Sequence, residues 1–472
     1  MSKKNKIIFI IILLLGIFIR VYKLYENPSG IHVDEAGMFV DANMLVRYGT
    51  DRYNNSFPLY FTNFGGGQSV MYGYIIAALI KVFGCSYLII RVPSVIFGVI
   101  LILISYLIGK EFFDKNKALL LMALTSFCPY FIQASRIGLD CNLFLPMFTI
   151  SLYVLIKSVK KQKNILFFIT GILYGLCLYT YAISYLIVPC FLLISFIYLF
   201  LNKMINIKQI IILSIPLFLI ALPLILFILV NYNIIKEFKL IIFDLKKLPN
   251  FRKSEISIKN IPDNLLMIVN LLSFDFIEYN SIKYFGTVYY IFIPFFITGL
   301  ISFIKQIKNK KIENLIIINF STCYLLLLLV SDININKANV IYFSVIYILW
   351  YGIINIKSKK IINISIIILI INSLLFSNYY LNNDTTVNAY FDSTIYKVIN
   401  EEYSILKDKE LVIITDTTEK EIFVKMGRIK HKEFIETQKN KKAYLIKEKM
   451  YDDSLYGLKN KIKINDYYLI YE

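Results

Sequence analysis

One tryptophan, two histidines and six cysteines in 472 residues leave out much of the apparatus of soluble catalysis. No two cysteines stand in C-x-x-C spacing. Cys85, Cys128, Cys141, Cys177, Cys190 and Cys323 all lie in or beside apolar runs, which argues against a disulfide or zinc framework and for small buried side chains. There is no P-loop, no G-x-G-x-x-G, no H-E-x-x-H and no nucleophile elbow. With His32 and His431 alone, nucleotide-driven work and Ser-His-Asp chemistry lack their parts. Acids are scarce as well: 32 Asp and Glu face 51 Lys and Arg, a net charge of +19. Nucleic acid is nevertheless not an expected partner, because the lysines fall in short clusters between hydrophobic segments, as the positive-inside bias places them.

What is abundant is hydrophobicity, 57% of residues with a mean hydropathy of +0.63, against roughly 45–50% in soluble domains. Runs such as Ile7–Ile19, Val95–Ile108, Ile210–Val230 and Ile361–Leu375 are nearly free of charge, and a span needs about 20 apolar residues. The expected fold is an all-α polytopic membrane protein of about eleven transmembrane helices, near 7–25, 88–109, 118–134, 141–157, 165–181, 184–201, 210–230, 285–304, 313–330, 338–356 and 361–378. Lysine clusters at Lys3–Lys6, Lys110–Lys117, Lys157–Lys163, Lys203–Lys208, Lys305–Lys311 and Lys357–Lys360 mark the cytoplasmic side. The N-terminus is then cytoplasmic and the C-terminus extracytoplasmic. Ser69–Phe83 is apolar but short and reads as an interfacial helix of the outer face; a short true span is the alternative. The N-terminal run has no small-residue cleavage site after it and reads as a retained first span. Residues 1–378 form the membrane domain. Residues 379–472 form a small extracytoplasmic α/β domain, with strands at Glu410–Asp416 and Lys463–Tyr471 and a helix at Thr394–Leu406. The richness in Ile, Lys and Asn points, as composition only, to an AT-rich bacterial genome.

Candidate chemistry gathers on the outer side. Asp34 and Glu35 follow the first span, and acids at a bilayer surface are costly enough to expect a function. Asp34 can act as a general base, its pKa raised by partial burial. The bland reading makes Asp34 the N-cap and Glu35 a first-turn acid of a surface helix. Asp41, seven residues on, shares the face of Asp34. In the short loop Ser135–Asn142, Arg136 can meet a phosphate and Asp140 is a second acid or a metal ligand; an anchor pair snorkelling to water is the alternative. Arg91 opens the second span, with the same alternative. Gly65–Gly67 can cradle an anion or simply connect. Lys337 can meet a phosphate or stay solvated, His32 can tune Asp34, and Tyr179, Tyr181 and Tyr185 read as an aromatic belt.

The order of these features resembles a known family. Asp34-Glu35 in a long outer loop, Arg91-Val92-Pro93-Ser94 opening the next span, and Ser135-Arg136 with Asp140 before the fourth are similar to lipid-carrier-dependent glycosyltransferases of the C-type membrane fold. The protein O-mannosyltransferase and lipid A aminoarabinose transferase group is the nearest in pattern. The match covers about residues 7–200, including Tyr53 and Gly65–Gln68. The resemblance implies transfer of a sugar from a polyprenyl-phosphate carrier to an acceptor hydroxyl on the outer face, by inverting displacement. Asp34 is then the catalytic base and Glu35 completes the motif. Arg91 and Arg136 are candidates to hold the lipid phosphate. Several relatives have Lys or His where Gln68 stands, so Lys337 is a candidate substitute. No cofactor is required by the sequence, and a divalent metal is left open. The competing class is a transporter or flippase of a lipid-linked or small substrate, which would carry mid-span charges and inverted repeats.

Overall fold

Helices begin and end where the chain supplies caps and prolines. The computed structural model describes residues 2–28, 30–63, 66–251, 255–273, 284–382, 395, 398, 403–406, 409–414, 426, 441–451, 460–464 and 467–471. Helix α1 (Lys3–Val21) is capped by Ser2, whose hydroxyl accepts from the Asn5 amide at 3.2 Å. A short loop leads to α2 (Val33–Tyr48), which ends at Gly49 in the left-handed region (φ 68°). The antiparallel strands β1 (Tyr60–Phe61) and β2 (Gln68–Ser69) precede α3 (Met71–Phe83) and α4 (Leu88–Phe112). Next come α5 (Lys115–Ser126) and α6 (Pro129–Ala134), where one span was expected at 118–134. The break falls at Phe127 and Cys128, because a proline disfavours helical backbone in the residue before it, and Cys128 is extended (ψ 125°).

Five helices follow in near-continuous succession: α7 (Cys141–Lys161), α8 (Asn164–Cys177), α9 (Ser184–Leu201), α10 (Ile207–Asn231) and, after the hairpin β3 (Phe238–Leu240) and β4 (Phe243–Leu245), α11 (Ile261–Asn264). The membrane body closes with α12 (Met267–Ser273), α13 (Ile293–Gln306), α14 (Asn314–Leu327), α15 (Ile335–Ala338), α16 (Ile341–Ile354) and α17 (Lys359–Asn382). Helix stands in all eleven expected places. Among the described residues, six stretches are long and apolar enough to cross a membrane on their own: Leu88–Phe112, Cys141–Lys161, Ser184–Leu201, Ile207–Asn231, Tyr290–Asn309 and Lys359–Asn382. Helices α8, α14 and α16 are shorter apolar ones. Every residue of α16 is buried, as expected of a helix apolar on all sides that sits inside a bundle. Its Trp350 packs against Tyr347 with the rings tilted by 60° and donates its indole N–H to the Lys117 carbonyl at 2.8 Å.

Helix α3 has 13 residues and so rises about 20 Å, short of a hydrocarbon core of about 30 Å. Its Tyr72, Ile76 and Ile80 are buried on one face, while Val82 and Phe83 protrude at its tip, 73% and 74% exposed. The C-terminal region carries a four-stranded mixed sheet in the order β5 (Lys409–Ile414), β6 (Lys441–Lys447), β8 (Tyr467–Tyr471), β7 (Asn460–Ile464). β5 pairs parallel to β6, and the other pairs are antiparallel. The single strand expected near Lys463–Tyr471 is therefore a hairpin. Most of the helix expected at Thr394–Leu406 lies outside the described residues, as does His431. The sheet residues Ala443, Leu445 and Leu469 share one hydrophobic cluster with Val33, Phe39 and Ile76 of α2 and α3.

Candidate active site

The first turn of α2 separates the two neighbouring acids. His32, not Asp34, is the N-cap: its Nδ1 accepts from the Asp34 amide at 3.1 Å. Its own amide donates to Glu35 Oε2 at 2.9 Å, closing a capping box. The capping duty expected of Asp34 falls to His32, and the Asp34 carboxylate is left to face outward, its side chain 28% exposed. There Oδ1 accepts from Asn63 Nδ2 at 2.7 Å, and Oδ2 lies 3.6 Å from His32 Nδ1.

Glu35 turns the other way and is fully buried. Its carboxylate accepts from Arg91 Nε (2.9 Å) and Nη2 (3.1 Å) and from the Gly138 amide (2.6 Å), besides His32. Burial alone pushes its pKa up. The Arg91 charge and these hydrogen bonds outweigh that and hold the carboxyl below its ordinary value. A side chain at Gly138 would strike the Ile90 carbonyl, with its Cβ 2.7 Å away, so only glycine lets that loop reach the acid.

The two expected phosphate arginines are saturated by protein. An arginine has five N–H donors. Those of Arg91 go to both Glu35 oxygens and to the carbonyls of Leu24, Pro28 and Gly30. Those of Arg136 go to the carbonyls of Ile19, Tyr22, Lys23 and Asn27, the last twice. Arg136 thereby caps the C-terminal end of α1, whose last carbonyls have no partner within the helix. Neither guanidinium has a donor left for a lipid phosphate, and Glu35 has no face toward a reactant. The geometry corrects these three expectations: Glu35, Arg91 and Arg136 fasten α1, α2, α4 and the loop before α7 to one another.

Asp140 stands at the N-terminus of α7. It accepts from the Ser69 amide (3.1 Å) and the Cys141 amide (2.9 Å), and Gln68 reaches its carboxylate. Burial and the nearby Asp34 charge raise its pKa to about 7. It borders a cavity of about 310 Å³ that Lys337 and Glu255 also line. Lys337 Nζ donates to the Ser331 carbonyl at 2.8 Å and is 3.9 Å from Glu255 Oε1. Tyr60, Tyr181, Tyr185 and Tyr232 supply aromatic walls, so two tyrosines expected as a membrane belt face a cavity. The structure thus gathers Asp34, Asp140, Gln68 and Lys337 at one end of the bundle and withdraws the arginines. Asn63, Arg52 and Glu255 were not anticipated. The polar Asn63 just before the glycine triplet was the available signal; no spacing marks the other two. Among the described residues, no three His, Cys, Asp or Glu side chains gather closely enough to hold a metal ion.

Comparison with known proteins places this multi-helix body beside two membrane proteins of solved structure. Residues 67–231 match the family described as dolichyl-phosphate-mannose-protein mannosyltransferase. The crystal structure of ArnT from Cupriavidus metallidurans bound to undecaprenyl phosphate superposes with a TM-score of 0.59 at 8% identity, covering 100% of this chain and 98% of that one. Its apo state gives 0.62 at the same identity and coverage. The archaeal oligosaccharyltransferase AglB from Archaeoglobus fulgidus, in complex with an inhibitory peptide and a dolichol-phosphate, gives 0.52 at 12% identity over 93% of this chain and 60% of that chain. No curated protein sequence matches. The chain thus shares the fold of ArnT and AglB, and its residues 67–231 match the mannosyltransferase family model.

Proposed function

We propose that this protein moves a sugar from a polyprenyl-phosphate carrier to an acceptor hydroxyl at the extracytoplasmic face of a cell membrane, with Asp34 as general base. The observation that carries the reading is the division of labour in the first turn of α2: of two adjacent acids, only Asp34 keeps exposed surface, and its charge acts on Asp140, which lines the cavity. In the reaction the acceptor hydroxyl gives its proton to Asp34 and its oxygen bonds to the anomeric carbon. The bond to the phosphate oxygen breaks, its electron pair leaves with the lipid phosphate, and the anomeric configuration inverts. Lys337 is the cation placed to stabilise that leaving charge. No step is routed through a metal. The cavity volume is at the lower end for small-molecule sites, in keeping with a single sugar unit.

Lysine placement and one side-chain bond support the orientation. Asn27, just past α1, donates to the Tyr380 carbonyl near the end of α17, which supports placing those two helix ends, α2 and the C-terminal sheet on one side, opposite the lysine clusters. The decisive experiment incubates the purified protein with labelled undecaprenyl-phosphate sugars and identifies the product by mass spectrometry, alongside Asp34→Asn. The substituted protein is expected to keep its expression level and melting temperature while kcat falls by about 1,000-fold, within the range for loss of a general base. Full transfer by Asp34→Asn removes Asp34 from the role.

A further inference from the structure

Asp34 does not hold its position alone. Asn63 is 6% exposed and bridges two charged groups: its Nδ2 donates to Asp34 Oδ1 at 2.7 Å, and its Oδ1 accepts from Arg52 Nη2 at 2.8 Å. The same Nη2 donates to the Thr62 carbonyl at 2.9 Å. Arg52 is itself seated on α2. Its amide donates to Asp41 Oδ1 at 3.0 Å, and its Nε lies 3.6 Å from that oxygen, with the Asp41 side chain fully buried. Gly37, between Asp34 and Asp41, leaves the space the guanidinium occupies: a Cβ there would come within 2.6 Å of Arg52 Nη1.

Chemistry dictates which way the Asn63 amide points. Arginine has only donors and an ionised carboxylate only acceptors. The carbonyl end of Asn63 must therefore face Arg52 and the NH₂ end Asp34, and the reversed amide would set donor against donor and acceptor against acceptor. A hydrogen bond to the charged form of a carboxylate favours that form. On the reading that Asp34 is the base, we infer that Arg52 and Asn63 are positioning residues: Arg52 orients the Asn63 amide, and Asn63 anchors Asp34 Oδ1 so that Oδ2 is presented to the acceptor. The other titratable groups acting on Asp34 are His32 from the preceding loop and Asp140 and Cys141 from the start of α7.

The test is Asn63→Asp in the full-length protein. The substitution is nearly isosteric and gives Arg52 a carboxylate to pair with, so the melting temperature is expected to hold while Asp34 loses its donor and meets a negative charge. Two readouts are taken. The first is the pH midpoint for carbodiimide labelling of Asp34, read by peptide mass spectrometry and independent of any substrate; it is expected to move up by about one pH unit. The second is transfer from the undecaprenyl-phosphate sugar, where kcat is expected to fall about 100-fold with donor KM unchanged. Arg52→Leu is expected to shift the labelling midpoint in the same direction by less, and Arg52→Lys to restore most of it. An unmoved midpoint in a folded Asn63→Asp protein overturns the relay, whatever the fate of Asp34→Asn. A moved midpoint together with a fully active Asp34→Asn leaves the relay standing and removes the catalytic reading instead.

Discussion

Asp34 and Glu35 are adjacent in sequence, yet they belong to two differently built regions. Around Glu35, every donor of Arg91 and both carboxylate oxygens are used, and the group is sealed from solvent. Around Asp34 and Asp140, an acid keeps exposed surface, a second titrates near pH 7, and a cavity adjoins them. Complete pairing of a buried charge makes a joint between helices; on the proposed function, the acid left partly exposed is the reagent. In a membrane protein the hydrogen-bond count separates the two, where residue type does not: Arg91 and Arg136 have the side chain best suited to phosphate and spend it entirely on backbone carbonyls and Glu35.

The contrast can be broken from either side. The largest effect is expected from Arg91→Ala, which leaves Glu35 buried without its cation, a loss of about 3–5 kcal/mol for a buried pair. Thermal unfolding, followed by exposure of the buried thiols of Cys128, Cys141, Cys177 and Cys323, should begin far lower, with donor KM unchanged in the folded fraction. A parent-like melting curve with a raised donor KM would return Arg91 to the phosphate. Next in size, Lys337→Ala should raise donor KM about tenfold, as expected for one charge-assisted hydrogen bond, with Lys337→Arg recovering most of it; an unchanged KM removes this lysine from the donor site. The smallest effect concerns Asp140. Its pKa is about 7 when folded against an ordinary value of 3.8, so between those values the folded state binds more protons than the unfolded one. Stability contributed by that proton is present at low pH and lost as pH rises through about 7. Asp140→Asn should flatten the fall in melting temperature between about pH 4 and 7; an identical slope contradicts the shifted carboxyl.

The membrane body was legible because its signal is local. Apolar runs bounded by lysine clusters correspond to helices at all eleven places, and the shortness of Ser69–Phe83 favoured an interfacial helix over a short span. The break between α5 and α6 was also readable, in Pro129, but the run of apolar residues hid it. Asp34 and Asp140 could be singled out as polar groups on one side of the bundle. What could not be read was direction. Nothing in Arg91-Val92-Pro93-Ser94 says that the guanidinium faces carbonyls 61 to 67 residues away, nor does any motif join Arg52 to Asn63. The cap also went to His32 rather than to Asp34, the more usual N-cap type, because the box with Glu35 closes only from position 32.

Arg136 carries a consequence for biogenesis. The Ile19 and Tyr22 carbonyls that finish the first helix find their side-chain partner 117 and 114 residues later in the chain. Until the ribosome has delivered that arginine, the end of α1 lacks these partners, so this joint between α1 and the loop before α7 closes only once the chain has been made past α6.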